Sequence, residues 1–174
     1  MNQIKIKQLP AMAIAFACAT VGVLTPDWRT ELHAAGYGTY DNSSGVICKN
    51  YSPANAANID YLTYGVTNSN RNRSRSGSNV ICPLNRATTN TNGGTVNIFV
   101  NHLSNVTTSC TFYSYDLTGT LFGSSTASVS GNGLKNITIS LGDGTSSANT
   151  NYIVTCLLPG SSQSVLTGVK LTEN

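Results

Sequence analysis

Charged side chains are scarce in this chain of 174 residues, which has ten Lys and Arg, seven Asp and Glu, and two His. A charge balance this close to neutral predicts no general affinity for nucleic acid. Intrinsic disorder would require a high net charge or few strand-forming residues, and neither holds here. The composition therefore predicts a folded chain whose surface is polar through amides and hydroxyls.

Signatures of catalysis are also missing. The chain has no G-x-S-x-G elbow and no H-E-x-x-H helix motif. His102 is the one histidine after residue 35, and a hydrolase could combine it with a serine and one of three aspartates. No motif fixes that geometry, and we interpret His102, at a strand end, as a surface or hydrogen-bonded residue. The sequence predicts a protein that is not an enzyme, with a small secreted hydrolase as an alternative.

Metal and cofactor motifs are equally absent. The cysteine spacings lack the close ligand pairs of a zinc site. Calcium would need several oxygen ligands in one short loop, whereas "GDG" at residues 142–144 offers the single carboxylate of Asp143. We predict no metal and no cofactor, and we interpret "GDG" as a turn.

The only long apolar run lies near the N-terminus, in "MNQIKIKQLPAMAIAFACATVGVL". Residues 11–24 follow two lysines and are apolar except for a threonine and a glycine. This length fits the apolar region of a secretory signal and is short for a span of about 20 residues. We predict a signal and cleavage region over residues 1–35, ending at Ala34 or Ala35. An uncleaved anchor and a lipid attached to Cys18 are the alternatives, and we favour Cys18 as a small apolar residue.

Four cysteines remain after residue 35: Cys48, Cys82, Cys110 and Cys156. In an exported chain an even number predicts two disulfides, for which three pairings exist. We favour Cys48 with Cys82 and Cys110 with Cys156. The expected location is secreted or extracellular, or periplasmic, with no stable membrane span once the signal is removed.

Residues 36–174 alternate between strand patterns and turn patterns. "TVNIFVNH" places Val96, Ile98 and Val100 on one face, and "SCTFYSYD" places Cys110 and Phe112 opposite Tyr113 and Tyr115. "LKNITISL" and "NYIVTCLL" alternate in the same way. Further strands are expected at "VIC" from Val46 and at "NVICPL" from Asn79. "DLTG", "SGNG" (residues 130–133) and "GDG" predict turns, and "SPANAANIDY" predicts a turn or two of helix.

About eight or nine short strands, spaced by roughly 8–12 residues, predict one all-β domain over residues 36–174. The expected architecture is an antiparallel β-sandwich, Ig-like or jelly-roll-like, with a small β-barrel as the alternative. The order of "VICPLNR", "CTFYSYDLTG", "YIVTCLLPG" and a last strand ending at Glu173 is similar to a set of uncharacterised exported bacterial proteins. That resemblance implies an exported four-cysteine β domain and no particular activity.

Two groups of residues are candidates for binding. Tyr113 and Tyr115 share one strand face and could stack on sugar rings, with Asn97 and Asn101 as polar partners. "NSNRNRSRSGSN" carries Arg71, Arg73 and Arg75 at alternate positions, which would point the same way in an extended loop and could contact a polyanion. The favoured interpretation of the arginines is a solvated loop.

The first hypothesis is therefore a non-enzymatic surface or extracellular structural or interaction protein that associates with itself. Few catalytic candidates and little charge favour it, and an exposed edge strand would supply the contact. The alternative is an extracellular module that binds a polysaccharide or a polyanion. Neither hypothesis predicts nucleic acid as a partner.

Overall fold

The structure is a computed structural model that describes residues 39–70, 77–86, 92–145 and 149–174. Nine strands make up most of these residues. They are β1 (Thr39–Ser44), β2 (Lys49–Asn50), β3 (Ile59–Leu62), β4 (Gly65–Asn68), β5 (Ser78–Leu84), β6 (Gly94–Asp116), β7 (Leu121–Leu141), β8 (Thr150–Leu158) and β9 (Ser164–Glu173). The all-β class and the number of strands are confirmed.

All strand pairs are antiparallel, and the order across the sheet is β2-β5-β8-β6-β9-β4-β3. β1 also pairs with β9, and β7 pairs with β6. The first half of β6 adjoins β9 and its second half adjoins β8, so the long β6–β7 hairpin runs through both halves of the sheet. The result is a nearly closed β-sandwich.

The hairpin bends where β6 changes neighbours. Register shifts between His102 and Val106, and the opposing Gly131 and Gly133 have φ of 107° and 86°. Glycine adopts these positive angles without the Cβ clash that other residues would suffer. The turn predicted at residues 130–133 is therefore wrong, because these glycines bend a continuous strand and do not end one.

Three other local predictions differ in outcome. Residues 142–144 do form a turn, with Gly144 at φ 75°, and a 3-10 helix covers Pro53–Asn58. The strand predicted from Val46 is wrong, since Gly45–Ile47 is a 3-10 turn and β2 begins at Lys49. The Ser44 side chain accepts a hydrogen bond from the Val46 backbone N–H there, so a local polar contact competes with strand pairing.

The core follows the predicted alternation. Val96, Ile98 and Val100 of β6 are buried, as are Ile137 and Ile139 of β7. The buried residues of both halves of the sheet form one continuous cluster. Burial of β-branched and aromatic side chains on one face of each strand is the principal stabilising term.

A buried ion pair lies beside this core. Arg86 Nε donates to Glu173 Oε1 at 2.7 Å, and the guanidinium lies 4.8 Å from the centre of the Tyr152 ring. The Tyr152 ring in turn contacts Phe112 at 5.1 Å between centroids. The ion pair thus joins β9 to Arg86, the second residue after the end of β5. Among the described ranges, no helix is long and apolar enough to cross a membrane.

Candidate functional site

The outer face of β5, β8 and the second half of β6 carries a concave site. Along each of these strands the core-facing residues are buried, and the residues between them face outward. Strand pairing aligns the outward residues in rows across the sheet. One row contains Asn79, Leu157 and Ser109, and the next contains Ile81, Thr155 and Thr111. Side chains that are far apart in the sequence therefore meet on one surface.

These rows form the floor of a groove of about 490 Å³. That volume lies within the range of about 300–1,000 Å³ that is usual for small-ligand sites. The lining combines tyrosines (Tyr51, Tyr113, Tyr115), hydroxyl and amide side chains (Asn79, Ser109, Thr111, Thr155) and aliphatic side chains (Ile81, Ile153, Leu157). The groove therefore offers both apolar surface and hydrogen-bonding groups.

The aromatic part of the groove centres on the two tyrosines that the sequence singled out. The rings of Tyr113 and Tyr115 are stacked, with centroids 5.7 Å apart and planes 26° apart. Residues i and i+2 of a strand point to the same face, which puts these rings side by side. The two rings therefore lie next to each other in the groove lining.

Tyr51 is the third tyrosine, and the sequence analysis missed it. It follows β2, and its backbone N–H donates to the carbonyl of Asn79 at 3.0 Å. Its side chain is 58% exposed. No local pattern around "KNYSP" links Tyr51 to Tyr113; only the pairing of β2 with β5 and of β5 with β8 does so.

A pattern in the sequence of β8 could have predicted the aliphatic part of the groove lining, but the sequence analysis did not use it. β8 buries Tyr152, Val154 and Cys156, yet its outward positions also carry apolar residues, Ile153 and Leu157. Leu157 is 42% exposed. A strand that is apolar on both faces, with one face uncovered, indicates a surface that a ligand can cover.

The described residues that line the groove include no Asp, Glu, His, Lys or Arg. The described part of the lining therefore presents hydroxyl, amide and apolar groups. General acid–base catalysis requires a side chain that exchanges a proton near the reacting atoms. Apart from the tyrosines, the described lining residues offer no side chain of that kind.

His102 lies in the core, away from solvent, with 1% of its surface exposed. Its Nδ1 lies 2.7 Å from the carbonyl oxygen of Gly131, which can only accept, so Nδ1 carries the proton. Nε2 then accepts from Thr108 Oγ1 at 2.9 Å, and Thr108 Oγ1 accepts from Ser164 Oγ at 3.0 Å. Both ring nitrogens are engaged, so the interpretation of His102 as a hydrogen-bonded residue is confirmed. The alternative of a surface residue and the expected strand end are wrong, because His102 is buried within β6.

Both predicted disulfides are present. Cys48 bonds Cys82, and Cys110 bonds Cys156. All four cysteines are fully buried. Cys110 lies between the groove residues Ser109 and Thr111 in the sequence, and Cys156 lies between Thr155 and Leu157. The second disulfide therefore joins β6 and β8, two of the three strands of the groove floor, from the core side.

Other candidate residues lie elsewhere. Asn97 is on the first half of β6, where its Oδ1 accepts from Thr138 Oγ1 at 2.8 Å, and neither it nor Asn101 lines the groove. Asn97 and Asn101 were expected to be polar partners of Tyr113 and Tyr115, and this prediction is wrong, because β6 bends between the two pairs.

Arg71, Arg73 and Arg75 fall outside the described residues, as does the predicted signal region. Within the described ranges, no cluster of three or more His, Cys, Asp or Glu could hold a metal.

Comparison with known proteins gives a similarity of fold. No protein-family profile matches the sequence, and no curated protein matches it. The structure is similar to that of a xylan-binding module, CBM15, with a TM-score of 0.50 and 12% identity over 78% of this chain and 96% of that one. It is also similar to the CBM36-1 domain of a multidomain xylanase from the hindgut metagenome of Trinervitermes trinervoides, with a TM-score of 0.48 and 10% identity over 78% and 97% of the two chains. At such identities the comparison with CBM15 supports the β-sandwich fold.

Proposed function

We propose that the β-sandwich is a non-enzymatic extracellular module that binds a neutral polysaccharide in the groove over β5, β8 and β6. The observation that carries this proposal is the lining itself. Stacked tyrosines, an amide, hydroxyls and aliphatic side chains converge there, and none of the described residues in the lining is charged.

A sugar ring matches this lining chemically. Its axial C–H groups form an apolar face that packs against an aromatic ring, while its hydroxyls both donate and accept hydrogen bonds. Tyr113 and Tyr115 supply the aromatic surface, and Asn79 and Thr155 supply polar groups within the same groove. The absence of fixed charge favours an uncharged ligand, since an acidic polysaccharide would leave its carboxylates without a partner here.

Two further observations support the proposal. The xylan-binding module CBM15 shares this fold at a TM-score of 0.50. The two disulfides suit an oxidising, extracellular location, which the predicted signal over residues 1–35 also requires. We now prefer glycan binding to the hypothesis of a self-associating structural protein, because the groove with its tyrosine, hydroxyl and amide lining supports it.

The test is affinity gel electrophoresis of the oxidised protein in gels that contain soluble xylan, mannan, mixed-linkage glucan or galactan. We expect retardation by at least one of these neutral polysaccharides. Tyr113→Ala and Tyr115→Ala should each weaken binding by about tenfold, the upper end for loss of one aromatic contact. Tyr64→Ala is the matched control, because Tyr64 is as exposed as Tyr51 but lies between β3 and β4, outside the groove lining.

Migration unaffected by every polysaccharide would reject the proposal. Retardation that persists unchanged in both tyrosine variants would place the binding surface elsewhere. Equal losses in Tyr64→Ala and Tyr113→Ala would indicate a general effect of removing surface tyrosines.

Self-association through β7 is the second candidate. Within the described part of the chain this 21-residue strand pairs only with β6, so its other edge carries unpaired backbone groups. Its sequence has no proline and only one charge, on Lys135, so it carries few of the features that keep an edge strand from pairing. Light scattering after size-exclusion chromatography tests this candidate, and a monomer at all concentrations would reject it.

A further inference from the structure

A row of paired hydroxyls runs along the outer face of the β6–β7 hairpin. Thr111 Oγ1 and Thr126 Oγ1 are 2.9 Å apart, and Ser109 Oγ and Ser128 Oγ are 3.0 Å apart. We call these two pairs the hydroxyl ladder. Thr126 and Ser128 are exposed side chains of β7.

The ladder is continuous with the groove. Ser109 and Thr111 are its members on β6, and both also line the groove. In the sheet, Ser128 extends the row of Asn79, Leu157 and Ser109, and Thr126 extends the row of Ile81, Thr155 and Thr111. Neighbouring strands are about 4.8 Å apart, so each row spans about 14 Å from β5 to β7. The surface therefore continues beyond the groove to the free edge of β7.

The ladder has unused hydrogen-bonding capacity. A hydroxyl offers one donor and two acceptor lone pairs, and one donor is consumed within each pair. Each pair therefore keeps one donor and several acceptors for a partner in solution. Because the two hydroxyls of a pair fix each other, they are oriented before a ligand binds, which reduces the entropy lost on binding.

We propose that Thr126 and Ser128 form an outer subsite that binds the part of a neutral polysaccharide extending beyond the groove, with the glycan chain lying across the strands. This inference rests on the proposed function. It predicts that short oligosaccharides occupy the tyrosine-lined groove alone and that longer ones also reach the ladder.

The experiment is isothermal titration calorimetry with xylo-, manno- and cello-oligosaccharides of two and of six sugar units. The wild-type protein should bind a hexasaccharide more tightly than the matching disaccharide. The double variant Thr126→Val, Ser128→Ala should weaken hexasaccharide binding by about five- to tenfold, the effect of losing one or two hydrogen bonds. Its affinity for the disaccharide should not change.

The same strand supplies a matched control. Thr138 and Ser140 of β7 also make exposed cross-strand pairs, with Asn97 and Thr95 at 2.8 and 2.9 Å, but they adjoin the first half of β6. The double variant Thr138→Val, Ser140→Ala should therefore bind both ligands like the wild type. Melting temperatures of the two double variants should agree, since each loses exposed hydroxyl pairs only.

Four results would overturn the inference. Equal affinity of the wild type for the two lengths, or an unchanged hexasaccharide affinity in the ladder variant, would leave the groove as the whole site and the proposed function intact. Equal loss for both lengths in the ladder variant would mean that the groove itself was distorted. Failure of the wild type to bind any oligosaccharide would remove the proposed function together with the subsite.

Discussion

Cys110 and Cys156 face each other across β6 and β8, with Cα atoms 4.1 Å apart, and their disulfide lies directly behind the groove floor. The same stretch of each strand thus carries a crosslink on its core face and groove-lining side chains on its outer face. Fixing the spacing of the two strands fixes the spacing of the lining. We infer that this disulfide serves both stability and the shape of the groove.

Replacing both residues, Cys110→Ala with Cys156→Ala, should lower the free energy of unfolding by about 3–4 kcal/mol in the chain-entropy account of a loop of this size. Urea unfolding at neutral pH measures the change. Cys48→Ala with Cys82→Ala, which opens the other disulfide, is the comparison and should cost a similar amount. An unfolding midpoint that stays at the wild-type value would contradict the expectation.

The buried hydrogen bonds around Thr108 give a second prediction. Thr108→Val keeps the shape of the side chain but leaves His102 Nε2 and Ser164 Oγ without their partner inside the core. The variant should lose about 1–3 kcal/mol of stability, because an unsatisfied buried group costs its desolvation. Thermal or urea unfolding measures this loss.

Thr107→Val is the control for that change. Thr107 is adjacent in sequence, but its hydroxyl pairs with Ser130 at 2.7 Å on the exposed face, where water can replace the lost bond. We expect a change near zero. Similar losses in the two variants would mean that the effect comes from the strand backbone and not from the buried hydrogen bonds.

Asp116 gives a pH-dependent prediction. Hydrogen bonds from the Thr118 hydroxyl and from the Thr120 backbone hold the pKa of this carboxyl below its ordinary value of 3.8. A lowered pKa means that the folded state favours the ionised form, so the contribution to stability is present above pH 3.8. It is lost as the pH falls through the folded-state pKa.

Asp116→Asn should therefore be less stable than the wild type at neutral pH, and the difference should shrink in acid below pH 3.8. Unfolding by urea across a pH series measures the difference. Asp143→Asn, in the turn at residues 142–144, is the control variant and should retain the acid-dependent loss that the wild type shows. A difference between Asp116→Asn and wild type that stays constant down to the lowest pH would contradict this account.

Local patterns were sufficient for the strands and the crosslinks. Alternation assigned the correct faces to Val96, Ile98, Cys110 and Phe112, because one buried face forces a period of two. The even number of cysteines after residue 35 predicted two disulfides, and the favoured one of the three pairings is the one observed. The pattern "SGNG" misled because glycine with positive φ serves a strand bend as well as a turn, and neighbouring residues do not distinguish the two.

The groove was predictable only in part. Tyr113 and Tyr115 share a face within one strand, so their proximity is local. Tyr51, Ile81 and Leu157 join them through pairing among four strands, and that register is set by contacts between distant residues. Asn97 was wrongly grouped with the tyrosines for the same reason, since the bend in β6 cannot be read from its sequence.

The three arginines before β5 give a further prediction about stability. Because Arg71, Arg73 and Arg75 lie in a run of Asn, Ser and Gly between β4 and β5, we expect solvated side chains. Replacing all three by Ser should shift the melting temperature by no more than about 2 °C, as for surface substitutions generally. A large drop, measured by differential scanning calorimetry, would show that the arginines are built into the fold.

The same triple variant separates two kinds of binding. The described residues that line the proposed groove carry no charge, so we expect retardation by a neutral polysaccharide to be the same in the wild type and in the variant. A second gel contains polygalacturonate, and a gel without polymer gives the difference in migration that the three charges cause by themselves. If the arginines are only solvated, the wild type and the variant should be retarded equally by polygalacturonate after that difference is subtracted. Retardation of the wild type alone would assign the loop an anion contact that acts independently of the groove, because removing the arginines leaves Tyr113 and Tyr115 in place.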